Sequence, residues 1–300
     1  MPFLNIGVLR RRGGRRRVAA VTAAVVLATG GLVAVAATTA RAAGNRLDLR
    51  VLVVDDGQSM TEALRQTMTV EGVPFTTVTL TDAGRPQLTA DFLASGTEGK
   101  FQAVVLPNAA GTGVNGAALS AAELTALMAY ETTFGVRQID AYNYANSSLG
   151  LNAPVSPTGI SGPMDGATAT VTASGQAQGF GYLKGPIPFA PGSYGYIAIP
   201  LTATSTPPLA AGTSFTPLVT APIPGSAAAG SLLGVFTTGG RSELVSTMNY
   251  NFGQQHFRML AHGMISWMTQ GVHLGYNRNS FTFHFDDAFA PDARWDSTNN

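Results

Sequence analysis

Residues 49–72 read LRVLVVDDGQSMTEALRQTMTVEG, and this stretch decides the fold class. Apart from Arg50, residues 49–54 form an unbroken apolar run, which is typical of a strand buried on both faces. Ser59 and Glu62 have the spacing of a capping box that opens a helix, and Gly72 is a residue that closes one. The stretch therefore predicts a buried strand followed directly by a helix.

The same alternation continues along the next seventy residues. A second capping box, formed by Ser120 and Glu123, predicts a helix that ends at Gly135. Strands that alternate with helices at this spacing indicate an α/β fold with a parallel sheet of the flavodoxin or amidotransferase kind. The further strands are predicted at residues 75–80, 101–106 and 136–142.

Two adjacent acids, Asp55 and Asp56, end the first predicted strand. A metal site of the response-regulator receiver type would also need an aspartate after the third strand, where the sequence has Pro107 and Asn108. An amidotransferase would need a cysteine nucleophile, and the chain contains no cysteine. We expect the two acids to cap the following turn and helix.

Residues 141–240 differ in composition from the rest of the chain. Asp165 and Lys184 are the only charged residues there, whereas 12 of the 17 prolines fall in this segment. Polar and apolar residues alternate between glycine and proline breaks at residues 167–173, 193–201 and 214–219, which predicts short antiparallel strands in a β-sandwich-like segment. Aromatic residues favour a folded core over disorder, and any exposed ring could stack on a sugar. They are Phe180, Tyr182, Phe189, Tyr194, Tyr196 and Phe215.

The α/β pattern returns after this segment. Residues 231–237 and 244–250 are predicted strands, and residues 251–270 are amphipathic with the period of a helix. The β-rich segment is therefore an insertion into the α/β domain or an excursion from it. The apolar stripe of the predicted helix consists of Phe257, Leu260, Met264, Trp267 and Met268.

Two groups of polar residues in this region are candidate sites of low specificity. His256 and His262 are six residues apart on the predicted helix and face different ways, so they do not form a zinc pair. The turn at residues 239–240 is Gly-Gly and is followed by Arg241 and Glu243, which could lie at a binding cleft.

The N-terminus has the composition of an export signal. Six arginines lie within residues 10–17, an apolar run covers residues 18–37, and residues 40–42 supply small residues at the two positions that a signal peptidase reads. We expect a signal peptide at residues 1–42 and a secreted protein, although a retained membrane anchor is the alternative. The remaining chain has 11 Lys+Arg against 17 Asp+Glu, a net charge of −6. That charge argues against nucleic acid or an anionic membrane surface as a partner.

Residues 281–296 read FTFHFDDAFAPDARWD. Phenylalanines alternate with polar residues in the first half, as in a strand with one buried face, and the strand ends in Asp286 and Asp287. Two adjacent carboxylates repel each other unless a cation or a shared proton relieves the repulsion. This motif is therefore a candidate catalytic or metal-binding site.

The acidic strand, the Arg-Trp-Asp that follows it and the regions that precede it resemble the polysaccharide deacetylases of the NodB type. The resemblance is to the extracellular enzymes related to fungal galactosaminogalactan deacetylase, carbohydrate esterase family 18. It implies that Asp286 is the general base and that Asp287 is a ligand of a divalent metal, with zinc as the expected ion. His284 and Trp295 are candidate substrate-binding residues.

The sequence departs from the commoner deacetylase pattern in three respects. His284 stands where threonine is usual, Ala288 stands where glycine is usual, and no two histidines have the His-x-x-x-His spacing that supplies the other metal ligands. One carboxylate cannot hold a catalytic metal, so these 300 residues are expected to bind metal poorly and to lack deacetylase activity. We expect the acidic strand to be the first strand of a deacetylase barrel whose remainder is absent.

The resulting interpretation is a secreted metal-dependent deacetylase of N-acetylhexosamine polymers, such as those of N-acetylgalactosamine. The alternative is a non-catalytic extracellular protein that binds glycans. The predicted organisation is a signal peptide (1–42), the first part of an α/β domain (43–150), a β-rich segment that could bind carbohydrate (151–230), the return of the α/β domain (231–275) and the start of the catalytic domain (276–300).

Overall fold

The computed structural model describes residues 44–276 and Thr298. The chain divides into two units, Met1–Ala42 and Ala43–Asn300, and every described residue belongs to the second. The predicted signal peptide and the predicted acidic strand lie outside the described residues. No helix in the described part of the chain is long and apolar enough to cross a bilayer.

Strands predominate in the described unit. In chain order they are β1 (Arg46–Leu47), β2 (Val51–Asp55), β3 (Phe75–Thr79), β4 (Ala94–Ser95), β5 (Glu98–Gly99), β6 (Ala103–Leu106), β7 (Arg137–Asp140), β8 (Gly159–Pro163), β9 (Thr168–Val171), β10 (Ile187–Pro188), β11 (Tyr194–Ala198), β12 (Ser214–Pro222), β13 (Ala229–Thr238) and β14 (Arg241–Ser246). The helices are α1 (Ser59–Glu71), α2 (Ala90–Leu93), α3 (Ala121–Phe134), α4 (Ala173–Gly175) and α5 (Gln255–Met268).

Four parallel strands, in the order β3-β2-β6-β7, form one half of the main sheet. Every residue of β2 and β6 is buried, as the apolar run at residues 49–54 predicted for β2. Val51 and Val53 pack in one core with residues of α1, whereas Leu52 and Val54 pack in a second core with residues of α3. The alternation of side chains along a strand therefore places helices on both faces of the sheet.

Antiparallel strands continue the same sheet. Strand β14 pairs in parallel with β7, with Leu244 opposite Ile139, and β13 then pairs antiparallel with β14. The order from β13 outwards is β12, β9 and β10. The β8–β11 pair joins β13 where Ala198 lies opposite Ser231. The fold is thus a mixed α/β fold with one large mixed sheet.

The β-rich segment differs from the predicted sandwich in how its strands are joined. The predicted strands are present, but in the described residues β9, β12 and β13 are hydrogen-bonded into the sheet that the parallel strands begin. Local alternation identifies a half-buried strand, but it does not say which sheet that strand joins.

The two long helices of the parallel half begin differently. Ser120 and Glu123 form both hydrogen bonds of the predicted capping box at the start of α3, and Gly135 ends that helix in a left-handed conformation. The capping box predicted for α1 is wrong. The hydroxyl of Ser59 lies within the first turn and donates to the carbonyl oxygen of Tyr250, 3.0 Å away, so it joins α1 to the segment between β14 and α5.

Helix α5 packs across the sheet with the predicted apolar stripe buried. It lies against a single π-helical turn, Gln176–Phe180, whose Phe180 ring is fully buried. The ring sits over Gly263, and a Cβ at that position would lie 2.4 Å from the ring. A glycine is therefore required there for the helix and the aromatic ring to approach.

Candidate functional site

The candidate catalytic and binding residues of the 281–296 stretch are not among the residues that the structure describes. His284, Asp286, Asp287 and Trp295 all lie between the described ranges 44–276 and 298. Within residues 44–276, no group of three histidine, aspartate or glutamate side chains is arranged to hold a metal ion. The roles of the four residues stay predictions.

Asp55 and Asp56 have the structural role that the sequence indicated. Asp55 accepts hydrogen bonds from the Gly57 amide and from Arg65, at 2.9 and 3.0 Å. Asp56 accepts from the Gln58 amide, and the buried hydroxyl of Thr61 is shared between both carboxylates. The acids therefore accept the amides of the turn that precedes α1, and they contact the helix through the side chains of Thr61 and Arg65.

The histidines of α5 also have structural roles. His256 is buried, its Nε2 lies 3.2 Å from the carbonyl oxygen of Asn249, and its ring stacks on Phe189 at 4.7 Å. Burial lowers the pKa of His256, so the ring is held neutral. His262 lies on the surface, 3.1 Å from a carboxylate oxygen of Glu71. Each histidine thus has its own separate partners.

A cleft of about 690 Å³ opens at the carboxyl ends of β6 and β7, where ligands bind in α/β sheets. We call it the strand-end cleft. Its walls are the loops that leave these two strands, and its floor includes the start of β14. The polar and aromatic residues that line it are Asn108, Tyr142, Asn143, Tyr144, Asn146, Ser147, Ser148, Thr213, Phe236, Thr238, Arg241 and Glu243.

One wall of the cleft is a cluster of tyrosines. Tyr144 is 52% exposed, and its ring is supported from behind by Tyr196, with the ring centroids 4.9 Å apart. Tyr196 also stacks on Tyr142 and makes an edge contact with Tyr194. The ring of Tyr144 is therefore held in position while much of its surface faces solvent. An aromatic ring held this way can stack on the apolar face of a planar or cyclic ligand.

Asparagine side chains hold the loops of the cleft in place. Asn143 accepts from the Ala109 amide at 3.0 Å, which joins the two loops to each other. Asn146 accepts from the Ser148 amide and donates to the Tyr144 carbonyl oxygen. Asn108 likewise accepts from two amides of its own loop. Loops fixed in this way present a preformed surface to a ligand.

The floor of the cleft carries buried charges. Arg241 donates from Nε to Glu131 Oε2 at 2.7 Å and from Nη2 to Glu243. Asp140, fully buried, accepts from Gln138 at 2.6 Å and lies against the carboxyl group of Glu243. Three carboxyl groups thus surround one guanidinium group.

Burial determines how these carboxyl groups titrate. It raises the pKa of Glu131 to about 7, against the opposing effect of Arg241, and it raises the pKa of Asp140 well above its usual range. It also raises the pKa of Glu243, again against the opposing effect of Arg241. The second oxygen of Asp140, Oδ2, is buried without a hydrogen-bond partner in the described residues.

The sequence signalled this cleft only in part. The Gly-Gly turn before Arg241 and Glu243 pointed to it, and both residues do line the cleft. Tyr144 and Asn146 were missed, although a run of tyrosine and asparagine directly after a predicted strand was a usable signal.

The six aromatic residues of the β-rich segment differ in how far they are buried. Phe180 and Phe189 are buried, Tyr182 is 47% exposed, and Tyr194, Tyr196 and Phe215 are half-buried.

A match to a known protein family covers most of the residues that line this cleft. Residues 47–176 match the family model described as Agd3 CBM87. This chain is related to Agd3. Both loops of the strand-end cleft lie inside the matched range, whereas Arg241 and Glu243 lie beyond it. The resemblance to the galactosaminogalactan deacetylases drawn from the sequence is thereby confirmed.

Five chains of solved structures match the fold, among them the crystal structure of Agd3, described as a novel carbohydrate deacetylase. The match to Agd3 has a TM-score of 0.57 and 19% sequence identity, and it covers 78% of this chain. It covers 34% of the Agd3 chain, so this chain spans about a third of the length of that protein. No curated protein matches the sequence.

Proposed function

We propose that this chain belongs to a secreted, metal-dependent polysaccharide deacetylase and that residues 44–276 supply its carbohydrate-binding part. The observation that carries the proposal is the match of residues 47–176 to Agd3 CBM87, since these residues build both loops of the strand-end cleft. The substrate class is a polymer of N-acetylhexosamine, with N-acetylgalactosamine as the first candidate.

The chemistry of the cleft suits a sugar. A pyranose ring has an apolar face, which Tyr144 can cover, and an edge of hydroxyl groups, which need hydrogen-bond donors and acceptors. Ser147 and Ser148 line the same cleft as Arg241 and Glu243 and supply both kinds of group. The loops that carry them are already fixed by Asn143 and Asn146, so little order has to be gained on binding.

The catalytic part of the proposal rests on the terminal motif. Asp287 is the proposed ligand of a divalent metal, with zinc as the expected ion, and Asp286 is the proposed base that takes a proton from the attacking water. When bound, such a metal supplies a water whose pKa is low enough for attack near neutral pH. His284 and Trp295 are proposed to contact the sugar. Asp287 supplies one carboxylate ligand, and a catalytic zinc site needs further protein ligands besides it.

Secretion forms part of the same proposal. Residues 1–42 combine arginines, an apolar run and a small-residue cleavage site, as an export signal requires. A polysaccharide outside the cell is then the natural partner, and the charge of the remaining chain gives no reason to expect nucleic acid.

Two measurements test the proposal. Affinity electrophoresis in gels that contain an N-acetylgalactosamine polymer should retard the chain, whereas gels with cellulose should not. In a protein that carries the rest of the catalytic domain, Asp286→Asn should abolish acetate release while the metal stays bound. Unchanged mobility in every glycan gel would remove the binding role. Unchanged acetate release would remove the role of Asp286, and binding without acetate release from the unsubstituted protein would favour a glycan-binding protein.

A further inference from the structure

A second cleft, of about 410 Å³, lies between the start of β7, the end of α5 and the π-helical turn. We call it the α5 cleft. Arg137, Gln178, Ser266 and Trp267 are among the residues that line it, and it shares no lining residue with the strand-end cleft. Arg137 is the first residue of β7, so the two clefts open at opposite ends of the same strand.

Arg137 is the cation of the α5 cleft. Its Nη1 donates to the carbonyl oxygen of Trp267 at 2.8 Å, and the guanidinium group lies over the Trp267 ring, 4.8 Å from its centroid. These two contacts fix the group before any ligand arrives. Nε and Nη2 donate to no residue in the described ranges, and neither atom is buried without a partner. Their N–H groups are therefore open to solvent at the cleft.

No carboxylate pairs with Arg137 in the described residues, which distinguishes it from the other arginines there that are at least partly buried. Arg65, Arg85 and Arg241 each form an ion pair with an aspartate or a glutamate. Burial lowers the pKa of Arg137, and no charged group in the described residues opposes this effect. A half-buried cation without an anion is costly, and an anion that entered the cleft would remove part of that cost.

Two neutral donors line the same cleft. Gln178 accepts from Trp267 Nε1 at 3.4 Å through its side-chain oxygen, so its amide N–H groups are left without an acceptor in the described residues. The hydroxyl of Ser266 also has no partner there. Carbonyl groups at the end of α5 would repel an anion, but those of Ser266 and Trp267 already accept from the amides of Gly271 and Gln270. The polar side chains of the lining thus offer more free donors than acceptors.

We infer that the α5 cleft binds an oxyanion, a carboxylate or a phosphate, with Arg137 as its cationic partner. Guanidinium matches these anions in geometry, because two parallel N–H groups meet two oxygens. Nε–H and Nη2–H of Arg137 form such a pair. The anion is either a small ion in solution or an acidic group carried by a glycan. The site is independent of the proposed function, because it shares no residue with the strand-end cleft.

Calorimetric titration of the full chain at low ionic strength tests the inference with inorganic phosphate and galacturonate as probes. We expect both to bind with a dissociation constant on the order of 1 mM. Galactose, which lacks the carboxylate, measures any binding of the sugar itself. Tighter binding of galacturonate than of phosphate would support a glycan as the source of the anion, and the reverse would support a small ion.

Variants locate the anion. Arg137→Gln should weaken both anions at least about tenfold, because it removes the charge-assisted contacts. Arg258→Gln removes the same charge from an exposed position on α5 outside the cleft lining, so it is the matched control and should change neither affinity. Tyr144→Ala, in the strand-end cleft, should also leave phosphate binding unchanged.

A second readout does not depend on Arg137→Gln folding correctly. Trp267 lies beneath the guanidinium group, and Trp295 is the one other tryptophan of the sequence, so Trp295→Phe makes Trp267 the reporter. Phosphate should change its fluorescence, and about 0.5 M sodium chloride should weaken the response.

Three results would each overturn the inference. They are binding of neither anion, anion binding that Arg137→Gln does not weaken, and a Trp267 fluorescence that phosphate does not change. None of them would affect the proposed carbohydrate binding, which depends on Tyr144. Conversely, a failure to bind the N-acetylgalactosamine polymer would remove the proposed function and leave the anion site in place.

Discussion

Arg241 and Glu131, 110 residues apart in sequence, are joined by a buried hydrogen bond of 2.7 Å from Nε to Oε2. The bond connects the first residue of β14 to helix α3, so it links the antiparallel half of the sheet to a helix of the parallel half. Glu131 Oε2 is thus satisfied while its other carboxylate oxygen is buried without a partner in the described residues. This arrangement makes stability depend on pH.

The first prediction concerns that dependence. Burial raises the folded-state pKa of Glu131 to about 7 from an ordinary value of 4.5. A raised carboxyl pKa contributes stability that is fully present below about pH 4.5 and is lost as pH rises through about 7. Asp140 and Glu243 shift in the same direction. The free energy of unfolding should therefore fall between pH 5 and pH 8, by on the order of 2 kcal/mol.

Urea denaturation at a series of pH values measures this slope. Glu131→Gln should flatten part of it, because the amide does not titrate. Glu62→Gln, at a partly exposed carboxylate on α1, is the matched control and should leave the slope in place. A free energy of unfolding that is constant or rises over this range would contradict the prediction.

The second prediction concerns a buried ion pair at the start of α3. Both oxygens of Glu123 accept hydrogen bonds from Arg85, at 2.6 and 3.0 Å, and Oε1 also accepts from the Leu88 amide. Arg85→Ala would leave the Glu123 carboxylate buried without its cation, and should cost roughly 3 kcal/mol at pH 7. Arg46→Ala removes an exposed pair with Glu98 and should cost less than about 1 kcal/mol.

The Arg85 pair has a pH dependence opposite in sign to that of Glu131. The hydrogen bond from Arg85 lowers the pKa of Glu123 to about 2. The stability it contributes is present above about pH 4.5 and is lost as pH falls towards 2. Acid unfolding followed by circular dichroism should begin at a higher pH in Arg85→Ala than in the unsubstituted chain. If both proteins unfolded at the same acid pH, the ion pair between Arg85 and Glu123 would not stabilise the fold.

The third prediction concerns the contact between α5 and the π-helical turn. Gly263→Ala would place a Cβ 2.4 Å from the buried ring of Phe180, so the helix or the ring has to move. We expect a loss of about 2 kcal/mol, the usual cost of overpacking a core. Gly185→Ala adds the same methyl group where nothing lies within 4 Å, and its melting temperature should match that of the unsubstituted chain. Equal melting temperatures for the two variants would disprove the tight contact.

The fourth prediction separates the acids at the end of β2 from the strand-end cleft. Asp55→Asn should weaken the ion pair with Arg65, which costs about 1 kcal/mol of stability. Glycan affinity should stay unchanged, because Asp55 does not line the cleft. Thermal melting and affinity electrophoresis on the same sample provide both readouts. A loss of binding without a loss of stability would make Asp55 a site residue.

The sequence predicted the parallel half of the fold well because each element there is locally determined. The apolar run before Asp55 could only be a strand covered on both faces, and Ser120 with Glu123 formed the capping box that their spacing implied. The capping box at Ser59 failed because a tertiary partner, the carbonyl of Tyr250, bound the hydroxyl instead. Nothing near Ser59 in sequence could have indicated that partner.

The cleft was harder to predict, because its parts come from distant segments. Tyr144 is supported by Tyr196, and Glu131 meets Arg241 only through the pairing of β14 with β7. Alternation identified β14 as part of a strand but could not place it beside β7. The buried acids carried no signal of their own, since Asp140 and Glu131 look like surface residues until the strand covers them.

The parallel pairing of β14 with β7 has a consequence for how the chain folds. The pairing closes a loop of about a hundred residues, and the entropy of that closure is lost before the contacts compensate for it. Strands β2, β3, β6 and β7 can pair earlier, because shorter segments connect them. The floor of the strand-end cleft is completed only when β14 docks, so the ability to bind a ligand should be acquired at the end of folding. Ligand affinity would then measure completed folding more faithfully than helix content does.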